Sequence, residues 1–161
     1  MDVLWNPWRY QYIKGEGHDE PGSCVFCVLS ENPARDEENF ILRRAEFNFV
    51  VLNRFPYAAG HLLIVPYEHV SLLADASDEA SGEMMHLTRA AQAALASVYS
   101  PDGFNVGMNL GSAAGAGIAG HIHMHILPRW AGDVNFMTAV GQTRNIPESL
   151  NDTYDKLLGK L

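Results

Sequence analysis

The sequence is poor in cysteine and short of positive charge. Two cysteines in 161 residues, Cys24 and Cys27, are too few for a disulfide-built scaffold. Their C-x2-C spacing suits a metal or redox pair in a reducing compartment, so a cytoplasmic protein is expected. Eleven basic residues against nineteen acidic ones leave a formal net charge of −8 at pH 7. That balance gives no electrostatic footprint for polymeric nucleic acid or an anionic membrane surface. It does not exclude a small anion held in a local pocket. No uncharged apolar run approaches the roughly 18 residues of a membrane-spanning helix. The opening residues show no basic stretch followed by an apolar one, so no secretory signal is expected. Low-complexity disorder is also excluded, because a 47% hydrophobic content can offset the entropy of ordering. What the chain does have is one domain's length and seven histidines.

Residues 1–23 read as an arm and loop, with Trp5, Trp8, Tyr10 and Tyr12 followed by a glycine- and proline-rich stretch. Residues 24–29 enter a short helix. Apolar runs at 40–42, 48–53 and 61–66 predict strands, the last ended by Pro66. Residues 77–99 predict the main helix. Ser77 caps it, Asp78 and Glu79 suit its positive end, and Ala80, Met84, Leu87, Ala91, Leu95 and Val98 form one apolar stripe. Strands at 104–110 and 121–127 flank a Gly/Ala loop. Pro147 with Leu150, Tyr154, Leu157 and Leu161 predicts a terminal helix. Strands in succession, rather than in strict alternation with helices, predict an α+β fold with a mainly antiparallel sheet.

The chemistry concentrates in His121-Ile122-His123-Met124-His125-Ile126-Leu127. Along a strand, side chains alternate faces, so the three histidines share one face and Ile122, Met124 and Ile126 the core face. Successive imidazoles then lie roughly 7 Å apart. A solvent-facing polar row, a three-histidine metal site, and a nucleophile or base site all fit this pattern. Gly115-Ala116-Gly117-Ile118-Ala119-Gly120 matches G-x-G-x-x-G, but a strand follows it where a dinucleotide-binding unit needs a helix. Its glycines still allow backbone N–H groups to approach a phosphate.

The triad resembles the signature of the histidine triad (HIT) family, His-φ-His-φ-His-φ-φ with φ apolar. Gly60-His61-Leu62-Leu63-Ile64-Val65-Pro66 is similar to the family's upstream strand, and Cys24-Val25-Phe26-Cys27 to its entry. The stretch from Asn109-Leu110-Gly111 through residues 129–136 looks like the bacterial branch related to diadenosine tetraphosphate phosphorylases. The resemblance implies a domain over residues 24–136, with 137–161 as a tail carrying a helix. It also implies a sheet extended across a homodimer.

For function, the resemblance implies cleavage of a dinucleoside polyphosphate or related nucleotide through a covalent nucleotidyl-histidine on His123, by phosphorolysis or hydrolysis. Neutral imidazole is a competent nucleophile near pH 7 when its second nitrogen is held by a carbonyl. Phosphate charge would be met by His125, by loop backbone including Gly117, and by Asn109. Relatives often carry Gln or Ser in that loop, where this chain has Gly117, Ile118 and Ala119. Asn53 is the candidate ribose contact, with turn capping as its other role. His61 is a further candidate for the histidine network. The cysteine pair alone suggests zinc, redox chemistry or neither; relatives imply a structural zinc on Cys24, Cys27, His69 and His121. A divalent cation such as Mg²⁺ would travel with the nucleotide. His18 and His86 carry no signature.

Two other functions compete. A metallohydrolase with zinc on His121, His123 and His125 would need imidazoles spread over roughly 13 Å to reach one ion. A nucleotide-binding module with little catalysis would need no intact triad.

Overall fold

The computed structural model describes residues 23–133 and 146–161. Within them, helix α1 (Val25–Glu31) precedes strands β1 (Ile41–Arg44), β2 (Asn48–Leu52) and β3 (Leu62–Pro66). Helix α2 (Asp78–Tyr99) follows, then β4 (Gly103–Gly107), β5 (Met124–Arg129) and α3 (Leu150–Leu157). The sheet has the order β1-β2-β3-β5-β4, and every neighbouring pair is antiparallel. This is the expected α+β architecture. The N-terminal aromatic arm and His18 lie outside the described residues.

Strands β2 and β3 are buried along their whole length, so their alternating side chains feed two separate cores. Val50, Leu52, Leu62 and Ile64 meet Met84, Leu87, Ala91 and Leu95 of α2. Ile122 and Ile126 join this face, as do Tyr154 and Leu157 of α3. Phe49, Val51, Leu63 and Val65 point the other way and enclose Phe26 of α1. Burying side chains of this size contributes about 1.5–3 kcal/mol each.

Helix α2 starts where its sequence signals place it, with Ser77 Oγ accepting from the Ala80 N–H at 3.2 Å. Glu83 ties this helix to the β1–β2 turn. Its carboxylate accepts from the N–H groups of Glu46 and Phe47 and from Asn48 Nδ2, at 2.8–2.9 Å. Arg44 fixes α1. It pairs with Asp36 and donates to the Ser30 and Leu29 carbonyls, capping the helix's C-terminal end.

Strand β5 begins at Met124, three residues later than the 121–127 pattern predicts. The preceding residues are held elsewhere: the Ile122 N–H donates to the Val70 carbonyl at 2.8 Å. Only His125 of the three triad histidines sits in the sheet ladder, opposite Leu63 and Gly107.

Candidate active site and metal centre

The histidines do not form an evenly spaced row. His121 turns its ring toward the cysteine pair, while His123 and His125 lie with ring centroids 4.8 Å apart. All three are buried, on the sheet face that also holds Phe26. The Phe26 ring centroid is 5.0 Å from that of His123. His61, just before β3, completes the group: its Nε2 is 2.9 Å from His125 Nδ1.

Hydrogen bonds assign the tautomers. His123 Nδ1 faces the His121 carbonyl at 3.0 Å, so Nδ1 carries the proton and Nε2 keeps its lone pair. His61 Nδ1 accepts from the Tyr57 N–H at 3.1 Å. Its Nε2–H therefore donates to His125 Nδ1, which leaves the His125 proton on Nε2. The site thus presents a nucleophilic nitrogen on His123 beside an N–H donor on His125.

Burial keeps these rings neutral. Desolvation, aided by the neighbouring His125 and His123, pushes His61 down to about 3. Desolvation and His123 push His125 down to about 4. His123 is also lowered by burial, against the opposing pull of the His121 carbonyl.

A second cluster lies at the other end. One donor atom from each of Cys24, Cys27, His69 and His121 falls within 4.8 Å of the others. Cys24 Sγ is 3.3 Å and Cys27 Sγ 3.7 Å from His121 Nδ1, and Cys27 Sγ is 3.2 Å from His69 Nδ1. Tetrahedral zinc, with Zn–S near 2.3 Å and Zn–N near 2.0–2.1 Å, places S and N ligands about 3.5 Å apart. The donor set fits a closed structural zinc. His121 Nε2 faces the Pro66 carbonyl at 2.9 Å, which leaves Nδ1 aimed at the metal position. A zinc shared by the three triad histidines does not fit this geometry, because His121 faces the cysteines and His125 faces His61.

The other residues singled out by sequence are dispersed. Asn53 Oδ1 accepts from the Phe55 N–H at 2.9 Å, an Asx turn, and its Nδ2 lies 3.3 Å from His61 Nδ1. Asn109 is half-buried after β4. Gly117 is exposed in the loop before the triad, and His86 is exposed on α2. Tyr57 escaped the sequence reading: its ring tilts over His61 at 4.7 Å and stacks on His125 at 6.1 Å with 19° between planes. A single aromatic in a turn has no periodicity to announce it.

Similarity to known proteins accords with this arrangement. The HIT domain family model matches residues 35–132. An AP-4-A phosphorylase of Mycobacterium tuberculosis is 41% identical over 157 residues, covering 95% of this chain and 80% of the relative. An adenosine 5'-monophosphoramidase of Schizosaccharomyces pombe is 28% identical over 107 residues, 66% of this chain and 74% of the relative. A solved structure of a zinc-bound histidine triad family protein from Mycobacterium smegmatis superposes with a TM-score of 0.68 at 27% identity. It covers 86% of this chain and 92% of the relative's. No helix among the described residues is long and apolar enough to cross a membrane. The chain belongs to the histidine triad family.

Proposed function

We propose that this protein is a nucleotidyl-transfer enzyme that cleaves dinucleoside polyphosphates, such as diadenosine tetraphosphate, through a covalent intermediate on His123. One observation carries the proposal: His123 Nδ1 is hydrogen-bonded to the His121 carbonyl, so Nε2 is the nucleophilic atom. Similarity to the mycobacterial AP-4-A phosphorylase and the yeast phosphoramidase supports the substrate class.

In the first step Nε2 attacks the α-phosphorus. The bond to the bridging oxygen breaks, and its electron pair leaves with the polyphosphate, a weak base that needs little acid catalysis. The nucleotidyl-imidazole keeps its Nδ1 proton, and the His121 carbonyl stabilises the resulting positive charge. In the second step an oxygen of phosphate or water attacks the same phosphorus. The P–N bond breaks, its pair returns to Nε2, and the proton of the attacking water or phosphate is released to solvent. His125 Nε2–H donates to the phosphate oxygens, and backbone N–H groups around Gly117 and the Asn109 side chain add further donors. Asn53 is the ribose contact of this scheme: Oδ1 holds the turn, and Nδ2, one of whose protons points to His61 Nδ1, has a second for a hydroxyl.

Cys24, Cys27, His69 and His121 would hold a structural zinc that anchors α1 against the triad, and Mg²⁺ would accompany the nucleotide. Residues 24–136 form the functional unit of this scheme. A second copy pairing along the β4 edge, where Val106 is 47% exposed, would extend the sheet into a homodimer. Light scattering tests that association.

Product analysis tests the chemistry. With diadenosine tetraphosphate and phosphate, phosphorolysis gives ADP and ATP; with water alone, hydrolysis gives AMP and ATP. His123→Ala should abolish both while retaining nucleotide binding by calorimetry. Wild-type turnover in that variant overturns the mechanism, and full binding without turnover in the native protein favours a binding module.

A further inference from the structure

Cys24 and Cys27 flank Phe26 at the start of α1, and the triad reaches them through His121. We propose that this cysteine pair is an oxidative modification site: a hydroperoxide converts it to a disulfide, and the new bond unseats His123. This rests on the zinc ligands and the His123 nucleophile proposed above.

The pair is placed to react with itself. Cys24 is the N-cap of α1 and Cys27 lies in its first turn, closed by the Val28 N–H on the Cys24 carbonyl at 3.1 Å. Positions three apart on such a turn bring their β-carbons to about 5–6 Å, so a small shift permits a disulfide. Both cysteines are free and only half-buried, which lets a small oxidant in. One thiolate attacks a peroxide oxygen, the O–O bond breaks, and the departing oxygen takes a proton. The second thiolate attacks the resulting sulfenic sulfur. Its S–O bond breaks, the hydroxide is protonated to water, and the disulfide remains. Two electrons have passed from the two sulfurs to the peroxide. Of the four zinc ligands only His69 and His121 are left, too few for a closed site.

Two contacts carry this change to the nucleophile. His121 Nδ1 lies 3.3 Å from Cys24 Sγ, while the carbonyl of the same residue faces His123 Nδ1 at 3.0 Å. Residues 121–123 precede β5 and lie outside the sheet ladder, so ladder pairing does not hold that carbonyl in place. Phe26 is the second link. Its ring centroid is 5.4 Å from that of His121 and 5.0 Å from that of His123. Tetrahedral zinc spaces two thiolates about 3.8 Å apart, and a disulfide draws them into bonding contact. That turns the start of α1, on which Phe26 rides. His123 then loses the fixed partner that keeps Nε2 free, and its ring takes either tautomer.

The test treats the full chain, zinc-loaded and with isotopically labelled histidine rings, with hydrogen peroxide. Peptide mass spectrometry should find a Cys24–Cys27 disulfide, and a chromogenic chelator should collect close to one equivalent of zinc. The His123 ring signals should pass from a single Nδ1–H tautomer to a mixture. Turnover of diadenosine tetraphosphate should fall at least about tenfold. Dithiothreitol with zinc should restore every reading, which separates the effect from methionine oxidation, since sulfoxides need their own reductases. A disulfide with unchanged His123 signals overturns the coupling. Cysteines that stay reduced, or pass on to sulfinic acid, overturn the modification site. Protein that holds no zinc yet turns over at full rate overturns the zinc assignment and this proposal with it, while nucleotidyl transfer stands. Zinc-loaded protein without turnover overturns nucleotidyl transfer instead, and zinc release with the His123 signals still decides the modification site.

Discussion

His61 and His125 form a direct imidazole–imidazole hydrogen bond, Nε2 to Nδ1 at 2.9 Å, in the interior of the protein. Its direction is set from outside the pair, because the Tyr57 N–H occupies His61 Nδ1. The chain of donors runs from backbone to His61 to His125, and it ends on an N–H beside the His123 nucleophile. His61 is therefore a positioning residue. His61→Phe removes the donor and frees His125 to take the other tautomer. The expected result is a kcat on diadenosine tetraphosphate lowered about 10- to 100-fold with KM changed far less. His61→Gln, which keeps an N–H donor, should recover part of the loss. Equal activity in both variants would dismiss the orienting role.

The same burial predicts how stability responds to acid. His61 and His125 are held down to about 3 and about 4, whereas unfolded histidines titrate near 6.5. Below pH 6.5 the unfolded chain takes up protons that the folded chain refuses. Stability is thus complete above 6.5 and falls as the pH drops toward 4, by up to about 1.4 kcal/mol per pH unit for each ring. Glu83 acts lower on the scale. Burial raises its carboxyl, but hydrogen bonds from Asn48, Phe47 and Glu46 outweigh it and leave the group below its ordinary value. Denaturant titrations between pH 8 and 4.5 should show a decline that starts near 6.5. His61→Gln should flatten that slope, and an unchanged slope would contradict the assignment.

Removing the metal tests the cysteine–histidine cluster. Cys27→Ser or a strong chelator should release close to one equivalent of zinc, read by elemental analysis. Melting should fall by at least about 5 °C, roughly 2 kcal/mol in a chain of this size. The loss reflects folding free energy supplied by the ion. His69→Ala should behave alike, since its Nδ1 lies 3.2 Å from Cys27 Sγ. Purified protein without zinc and an unshifted melting point under chelator would reduce the cluster to an ordinary polar contact.

Much of this site was readable in the sequence because its signals are local. The apolar stripe and Ser77 cap marked α2, and period two put Ile122 and Ile126 in the core opposite the histidines. The straight strand from 121 was not borne out. Ile122 bonds to Val70 instead of the sheet, and His121 is drawn to cysteines nearly a hundred positions away, so spacing alone could not show its turn. Glu83 carries no sequence signal of its own; its role is to hold the β1–β2 turn, a contact that helical periodicity does not encode. Asn53 takes the turn-capping role through Oδ1, and its amide nitrogen lies near His61 Nδ1.

The glycine ahead of His61 gives the sharpest structural test. Gly60 sits at φ +74°, a left-handed conformation that costs an L-residue about 1–2 kcal/mol. Space is restricted as well as conformation. A Cβ built there would lie 2.9 Å from Leu95 Cδ2, 3.2 Å from Tyr99 Cε2 and 3.3 Å from Pro128 Cγ. Leu95 is fully buried and cannot swing into solvent, so crowding adds about 1–3 kcal/mol. Gly60→Ala should therefore lose about 2–5 kcal/mol and melt at least about 5 °C lower. Relief of the clash moves the backbone next to His61, and kcat on diadenosine tetraphosphate should fall with the melting point. Gly82→Ala is the control, because nothing lies within 4 Å of its Cβ position and alanine favours the helix. That variant should melt at or above the native temperature. A Gly60→Ala protein as stable as the native one would show that the turn before His61 is not the rigid support its geometry implies.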